Sequence, residues 1–296
     1  MKIIEETGYK MIVGLTACSD GQLKEWKQQN NELCRIMEGM GIETVMAEHI
    51  YAKQDAFSGT DKERAEDLMR FYRDDSVDAI YDISGGDLAN GVLKYLDWDI
   101  IAKSNKTYWG YSDLTTVLNA IYAKTGRESV LYQVKNMVYA KGELQQKRFA
   151  NFVSGKNREL FDINYEFLQG TCLEGIVVGG NIRCLLKLAG TEFWPDMTGK
   201  ILLLESYGGE TGGIATAMNQ LDLMGVFDQV AGVLLGTFSK YEEAALSLGV
   251  FDLLKMHISD TLPVVKTTEI GHRPDSKAIV IGRNMKLKKG DLWQIH

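Results

Sequence analysis

Short apolar runs alternate with longer amphipathic segments through the first half of the chain, the pattern of a parallel sheet covered by helices. Met11-Ile12-Val13-Gly14-Leu15 reads as a strand, after which Leu23, Trp26, Leu33, Ile36, Met37 and Met40 fall largely on one helical face. A strand is predicted over 43–46, a helix over 61–72, and a strand at Ala79-Ile80-Tyr81-Asp82-Ile83 that runs into Ser84-Gly85-Gly86. Residues 88–96 return to a helical period. Tyr108-Trp109-Gly110-Tyr111 then leads through Ser112-Asp113 into a helix over 114–124. Both glycine-bearing junctions follow strands, where an open α/β sheet places its ligands.

From about 141 to 165 the chain turns polar and basic, with Gln145-Gln146-Lys147-Arg148 and Ser154-Gly155-Lys156-Asn157-Arg158. A linker is therefore expected over 146–165, dividing a unit of residues 1–145 from one of 166–296. The second unit opens with Gly175-Ile176-Val177-Val178-Gly179-Gly180 and carries strand-like runs at 201–204, 230–236, 262–267 and 278–282. All three prolines, Pro195, Pro263 and Pro274, lie there, at expected turns or element edges. The sequence shows no internal repeat and no low-complexity segment.

A chain of 296 residues that is 45% hydrophobic can bury a substantial core, in about two domains by length. Its apolar runs fall far short of the roughly 20 residues of a membrane span, and Met1-Lys2-Ile3-Ile4-Glu5-Glu6 is unlike a secretory signal; a cytoplasmic location is expected. The net charge of -7 and the absence of any dense basic block argue against a nucleic-acid or anionic-membrane surface. They leave room for a local cationic pocket. Cys18, Cys34, Cys172 and Cys184 are scattered without C-x-x-C pairing, so they read as small buried hydrophobes rather than as zinc ligands or disulfides.

Gly110-Tyr111-Ser112-Asp113-Leu114 puts a serine at a strand-to-helix turn, a geometry that exposes a hydroxyl and aims helix N-terminal amides at a developing anion. The same serine could be an N-cap, since the last glycine of G-x-S-x-G is missing. A serine nucleophile needs a base, and the chain has only His49, His257, His272 and His296. His257 sits in an amphipathic segment, His296 ends the chain, and His49 follows a strand end without turn residues around it. His272 stands in Glu269-Ile270-Gly271-His272-Arg273-Pro274, a loop directly after an apolar strand. An orienting carboxylate belongs at a buried strand end, which fits Glu205 after Ile201-Leu202-Leu203-Leu204; a salt-bridged or solvated strand end fits it too. Ser84-Gly85-Gly86-Asp87 lacks the spacing of a phosphate loop and reads as a backbone turn able to supply one oxyanion amide, with Asp113 supplying the other. Gly179-Gly180-Asn181 and Gly208-Gly209-Glu210-Thr211-Gly212-Gly213 read as loop devices able to line a cleft.

Taken in order, Gly59-Thr60-Asp61-Lys62-Glu63-Arg64-Ala65-Glu66-Asp67-Leu68, Ser84-Gly85-Gly86, Gly110-Tyr111-Ser112-Asp113-Leu114-Thr115, Gly179-Gly180-Asn181, residues 199–205, residues 221–227 with 232–238, and Gly271-His272 resemble the LD-carboxypeptidase family of serine peptidases, which includes the microcin C immunity peptidases. The resemblance implies an N-terminal Rossmann-like parallel α/β domain, a smaller C-terminal β-rich α/β domain, and an active site in the cleft between them. It makes Ser112 the nucleophile, Glu205 the triad acid, His272 the base, and the amides of Asp113 and Gly86 the oxyanion donors. It further implies a homodimer that needs no metal or organic cofactor.

Departures from the family pattern bear on the substrate. Ala17-Cys18-Ser19 replaces an Ala-Pro-Ser-like turn, Tyr132-Gln133-Val134-Lys135-Asn136 replaces a His-Gly-Pro-like segment, and Gly212-Gly213-Ile214-Ala215-Thr216 replaces an aromatic and Asp-Arg pattern. The expected function is an LD-carboxypeptidase that releases a terminal D-amino acid from L,D-linked muropeptides in peptidoglycan recycling. Arg183 is the expected cation for the terminal carboxylate, with Asn181 beside it. Cleavage of a peptidyl-nucleotide amide is the alternative, with Trp194 as the base-stacking ring, and a noncatalytic binding protein of the same fold is a second.

Overall fold

The computed structural model describes residues 10–290. Its twelve strands are β1 Met11–Thr16, β2 Ile42–Met46, β3 Ala79–Asp82, β4 Thr107–Gly110, β5 Ser129–Leu131, β6 Glu166–Gln169, β7 Cys172–Asn181, β8 Ile201–Ser206, β9 Gly232–Phe238, β10 Val264–Lys266, β11 Ile279–Ile281 and β12 Asn284–Lys288. They form two six-stranded sheets, ordered β11-β5-β4-β3-β1-β2 and β12-β7-β8-β9-β10-β6.

In the first sheet β2, β1, β3, β4 and β5 are all parallel. Parallel strands buried on both faces read as near-continuous apolar runs rather than alternating, and β3, with every residue buried, runs Ala-Ile-Tyr before it ends on the buried Asp82. The order reverses between β1 and β3, so the loops leaving these two strands diverge and open the crevice in which α/β sheets bind ligands. The flanking helices are locally specified. Helix Asp61–Arg73 starts at a reciprocal capping box between Thr60 and Glu63, places Asp61 and Glu63 in its first turn and ends on Arg70 and Arg73.

The second sheet is parallel from β7 to β10, with β12 and β6 antiparallel at its edges. Its centre, β8, is buried along its whole length. One continuous apolar cluster joins the sheets, holding Leu131, Tyr132 and Phe149 together with Val177, Ile201, Leu203 and Leu234.

Three expectations change. The linker proposed for 146–165 begins inside the helix Gly142–Val153, and Phe149, Val153, Leu160 and Phe161 are buried. The strand expected at 278–282 pairs antiparallel with β5, so it completes the first sheet rather than the second. Residues 88–96 form a 3-10 helix, Ala89–Tyr95, in place of a regular α-helix. No described helix is long and apolar enough to cross a membrane.

Candidate active site

β4 ends at Gly110, and the chain turns through Ser112–Leu114, one turn of 3-10 helix, into the helix Thr115–Thr125. Ser112 takes φ 55, a left-handed conformation costly for any residue with a β-carbon. Its turn is fixed from three directions. The Asp113 carboxylate, fully buried, accepts from Ser19 Oγ at 2.7 Å, from the Ala89 amide at 2.8 Å and from Lys187 Nζ at 2.5 Å. The loops that follow β1, β3 and β4 and the segment that follows β7 therefore meet at one side chain.

Glu205 comes from β8, in register with Asn181 at the end of β7, and is fully buried. His272 arrives on the loop after β10. That loop is held by the Thr237 amide, which donates to the Ile270 carbonyl at 2.8 Å, and by Gln145 Nε2, which donates to the carbonyls of Pro274 and Ser276, each at 2.8 Å. Arg148, inside the supposed linker, adds a bond from its guanidinium to the Asp275 carbonyl of the same loop at 3.0 Å. Gly271 has φ 134, and a methyl there would fall 2.1 Å from Thr237 Oγ1 and 3.2 Å from Glu205 Oε2, so only glycine lets the loop pass this close to the carboxylate.

The three side chains form one line. His272 Nδ1 lies 2.6 Å from Glu205 Oε2, and Nε2 lies 3.1 Å from Ser112 Oγ. An imidazole braced by a buried carboxylate on one nitrogen and facing a hydroxyl with the other can take the hydroxyl proton and stay charge-balanced. Tyr111 and Tyr207 pack against the ring, with centroids 4.4 Å and 5.3 Å away. Burial, and then the neighbouring Glu205 carboxylate, hold the Tyr111 phenol well above its ordinary value, so it stays neutral.

A cavity of about 730 Å³ opens over Ser112 and His272. Gly86, Asp87, Asn181, Arg183, Tyr207 and Gln220 are among the residues that line it. Gly86 takes φ 127, with the Asp20 carboxyl packed where a side chain would stand, and Asp20 Oδ1 accepts the Asp87 amide at 2.8 Å. Arg183 ion-pairs with the Asp87 carboxylate and donates to the Gly86 carbonyl at 3.2 Å. The bond from Arg183 to the Asp87 carboxylate holds that carboxyl below the usual carboxylate range.

Of the remaining sequence-derived residues, Asn181 lines the cavity and caps the short helix after β7 by accepting the Cys184 amide. Trp194 does not reach the cavity; it is half-buried against both apolar clusters. The exposed ring at the site is Tyr207, which sequence reasoning passed over although it stands two residues after Glu205. Lys187 was also passed over, since only tertiary contacts reveal its partners. His49 is buried on Asp67 at 3.0 Å, and His257 pairs with Asp222 at 2.9 Å, both away from Ser112. His296 lies outside the described residues. Cys18 and Cys184 are buried, and burial first, then Asp82 and Asp113 respectively, pushes their thiols up and away from thiolate character. Cys34 is half-buried and Cys172 exposed, so Cys172 departs from the buried-hydrophobe expectation. Among the described residues no cluster of three or more His, Cys, Asp or Glu side chains is arranged to hold a metal.

Two domain families match in chain order: the LD-carboxypeptidase N-terminal domain over residues 13–132 and the LD-carboxypeptidase C-terminal domain over residues 174–287. A probable murein peptide carboxypeptidase of Bacillus subtilis is 28% identical over 255 residues, covering 83% of this chain and 80% of its own. The microcin C7 self-immunity protein MccF of Escherichia coli is 25% identical over 260 residues, with 76% and 75% covered. Among solved structures, MccF in complex with glutamyl sulfamoyl guanosine superposes with a TM-score of 0.84 at 21% identity, covering 94% of this chain and 92% of that one. The muramoyltetrapeptide carboxypeptidase of Oxalobacter formigenes gives 0.79 at 21% identity, covering 94% and 95%. With both halves matched in order across a shared two-sheet fold, the chain belongs to the LD-carboxypeptidase family of serine-type carboxypeptidases.

Proposed function

We propose that the protein hydrolyses an amide at the carboxyl end of an L,D-linked muropeptide, releasing a terminal D-amino acid through a Ser112–His272–Glu205 triad. The observation that carries this reading is the hydrogen-bonded line from the buried Glu205 through His272 to Ser112, with His272 and Ser112 lining the cavity. In the proposed reaction Ser112 Oγ attacks the scissile carbonyl as His272 Nε2 takes its proton, with Glu205 fixing the tautomer and balancing the imidazolium. The amides of Asp113 and Gly86 receive the oxyanion. The leaving amine takes the proton from His272, and a water repeats the sequence in reverse to free the acid. At about 730 Å³ the cavity is of a size suited to a short peptide. Arg183 is the cation proposed to meet the terminal carboxylate, by exchanging its bond to Asp87, and Asn181 flanks the same path.

A second reading, cleavage of a peptidyl-nucleotide amide, draws support from Tyr207. Its ring is half exposed in the cavity, an aromatic surface against which a base could pack.

The test incubates the wild type and Ser112→Ala with an L,D-linked tetrapeptide muropeptide and, separately, with a peptidyl-nucleotide amide, and identifies products by mass spectrometry. Release of D-alanine by the wild type alone is the expected result, with Ser112→Ala down on the order of a millionfold. Cleavage of the nucleotide conjugate alone moves the protein to the second reading, and undiminished turnover by Ser112→Ala removes Ser112 from the mechanism.

A further inference from the structure

Lys187 stands just beyond the short helix Ile182–Leu186, in the half of the chain that supplies Glu205 and His272, yet its ammonium reaches into the half that supplies Ser112. It donates to Asp113 Oδ1 at 2.5 Å, to the backbone carbonyl of Asp87 at 2.8 Å and to Asp87 Oδ1 at 3.4 Å. Three acceptors satisfy its three protons, and the side chain is 18% exposed. Its neighbour Arg183 makes a related ion pair on the same loop but is 58% exposed, a rim contact.

The two residues that Lys187 joins carry or adjoin the proposed oxyanion amides. Asp113 provides one amide itself, and its fully buried carboxylate has no other cation bound to it among the described residues. Asp87 follows Gly86 directly, and with its amide held by Asp20 and its carbonyl by Lys187, the backbone on both sides of Asp87 is held in place. We propose that Lys187 is a positioning residue that sets the spacing of the two oxyanion amides, locking the Gly86 turn to the nucleophile turn from across the interdomain cleft. The proposal rests on the serine-hydrolase reading. A donor displaced by an ångström stabilises the developing charge far less than one in place, so the loss falls on the rate of attack rather than on substrate binding.

The experiment uses a phosphonofluoridate, which needs no knowledge of the substrate. Ser112 Oγ attacks phosphorus, fluoride leaves with the electron pair of the broken P–F bond, and the serine proton passes to His272. The phosphoryl oxygen lies where the oxyanion would. Adduct formation on Ser112 is followed by mass spectrometry in the wild type, Ser112→Ala, Lys187→Met and Lys187→Ala. Lys187→Met is expected to label about 10- to 100-fold more slowly, less than the full loss of one donor. Added methylammonium is expected to restore part of the Lys187→Ala rate, and with turnover substrate the fall should appear in kcat with KM little changed. Because Lys187→Met leaves the Asp113 carboxylate without its cation, the double variant Asp113→Asn/Lys187→Met, which buries no lone charge, is measured alongside. Slow labelling in the double variant at wild-type melting temperature supports the proposal. Wild-type labelling in either Lys187→Met or the double variant overturns it, leaving Lys187 as a counter-charge only. Failure of the underlying reading looks different: the wild type does not label, or Ser112→Ala labels equally.

Discussion

Ser112 adopts a left-handed backbone that its side chain disfavours, and it is held there because Asp113, next in the chain, is tied to three other loops. Arg183 is a different kind of residue, exposed and paired with an exposed partner, a pairing that contributes little to stability. Arg183→Met is therefore expected to leave the melting temperature within a degree or two while raising KM for a carboxylate-terminated substrate about tenfold or more, a split that steady-state kinetics with the acid and its amide resolves. Lys135 is buried against Gln22, with its ammonium 4.6 Å from the Trp26 ring centroid, and burial lowers its pKa from 10.5 to about 8. Between those two values the unfolded chain binds more protons than the folded one, so this residue makes stability rise with pH across that window. Below pH 8 both states are charged, and the burial penalty, on the order of 3 kcal/mol, is fully present. Lys135→Met should accordingly gain relative stability at pH 7 and lose that gain by pH 10.5, as urea unfolding at the two pH values will show.

The helix Thr115–Thr125, which follows the Ser112 turn, is set against the second sheet by a side chain that imitates a strand. Asn119 Nδ2 donates to the Gly179 carbonyl at 2.9 Å and its Oδ1 accepts the Gly179 amide at 2.7 Å, while Thr115 Oγ1 accepts the Asn181 amide at 3.0 Å. Asn119→Ala strands both backbone polar groups of the buried Gly179, at a cost of about 2–4 kcal/mol, and should reduce turnover as well because the Ser112 turn leads into this helix; thermal denaturation and activity measured together will test this. Element by element, the sequence is readable where one rule dominates. The apolar run before Ser112 and the isolated His272 after a strand are legible because few other residues compete for those roles. The helix Gly142–Val153 was hidden by its basic surface, although Gln145, Phe149 and Val153 recur at helical spacing on its buried side. A glutamine on that inner face reads as solvated until its partners, the carbonyls of Pro274 and Ser276, are known. Residues 89–95 keep a helical period of apolar positions yet wind as 3-10, a choice made by packing beside helix Asp61–Arg73 rather than by periodicity.

Over the whole molecule the sheets are interlocked. β11 leaves the second half of the chain to pair with β5, and Arg283 on the turn after it bonds Glu128 beside β5. Ala278-Ile279-Val280-Ile281 announces a strand but not its neighbour, since an apolar run carries no record of which edge it will close. The shared core predicts a single urea transition, with tryptophan fluorescence and far-UV circular dichroism coincident; two separated transitions would contradict it. A fragment of residues 10–165 keeps five strands of the first sheet but exposes the edge of β5, and should show no cooperative transition of its own. The return of β11 also orders events in time. On a ribosome the serine emerges first, the glutamate next and the histidine last, and the histidine loop is secured only when β11 reaches a sheet begun long before. On the proposed triad, a chain still under synthesis therefore holds Ser112 without its base, and completion of the fold is what brings the three groups together.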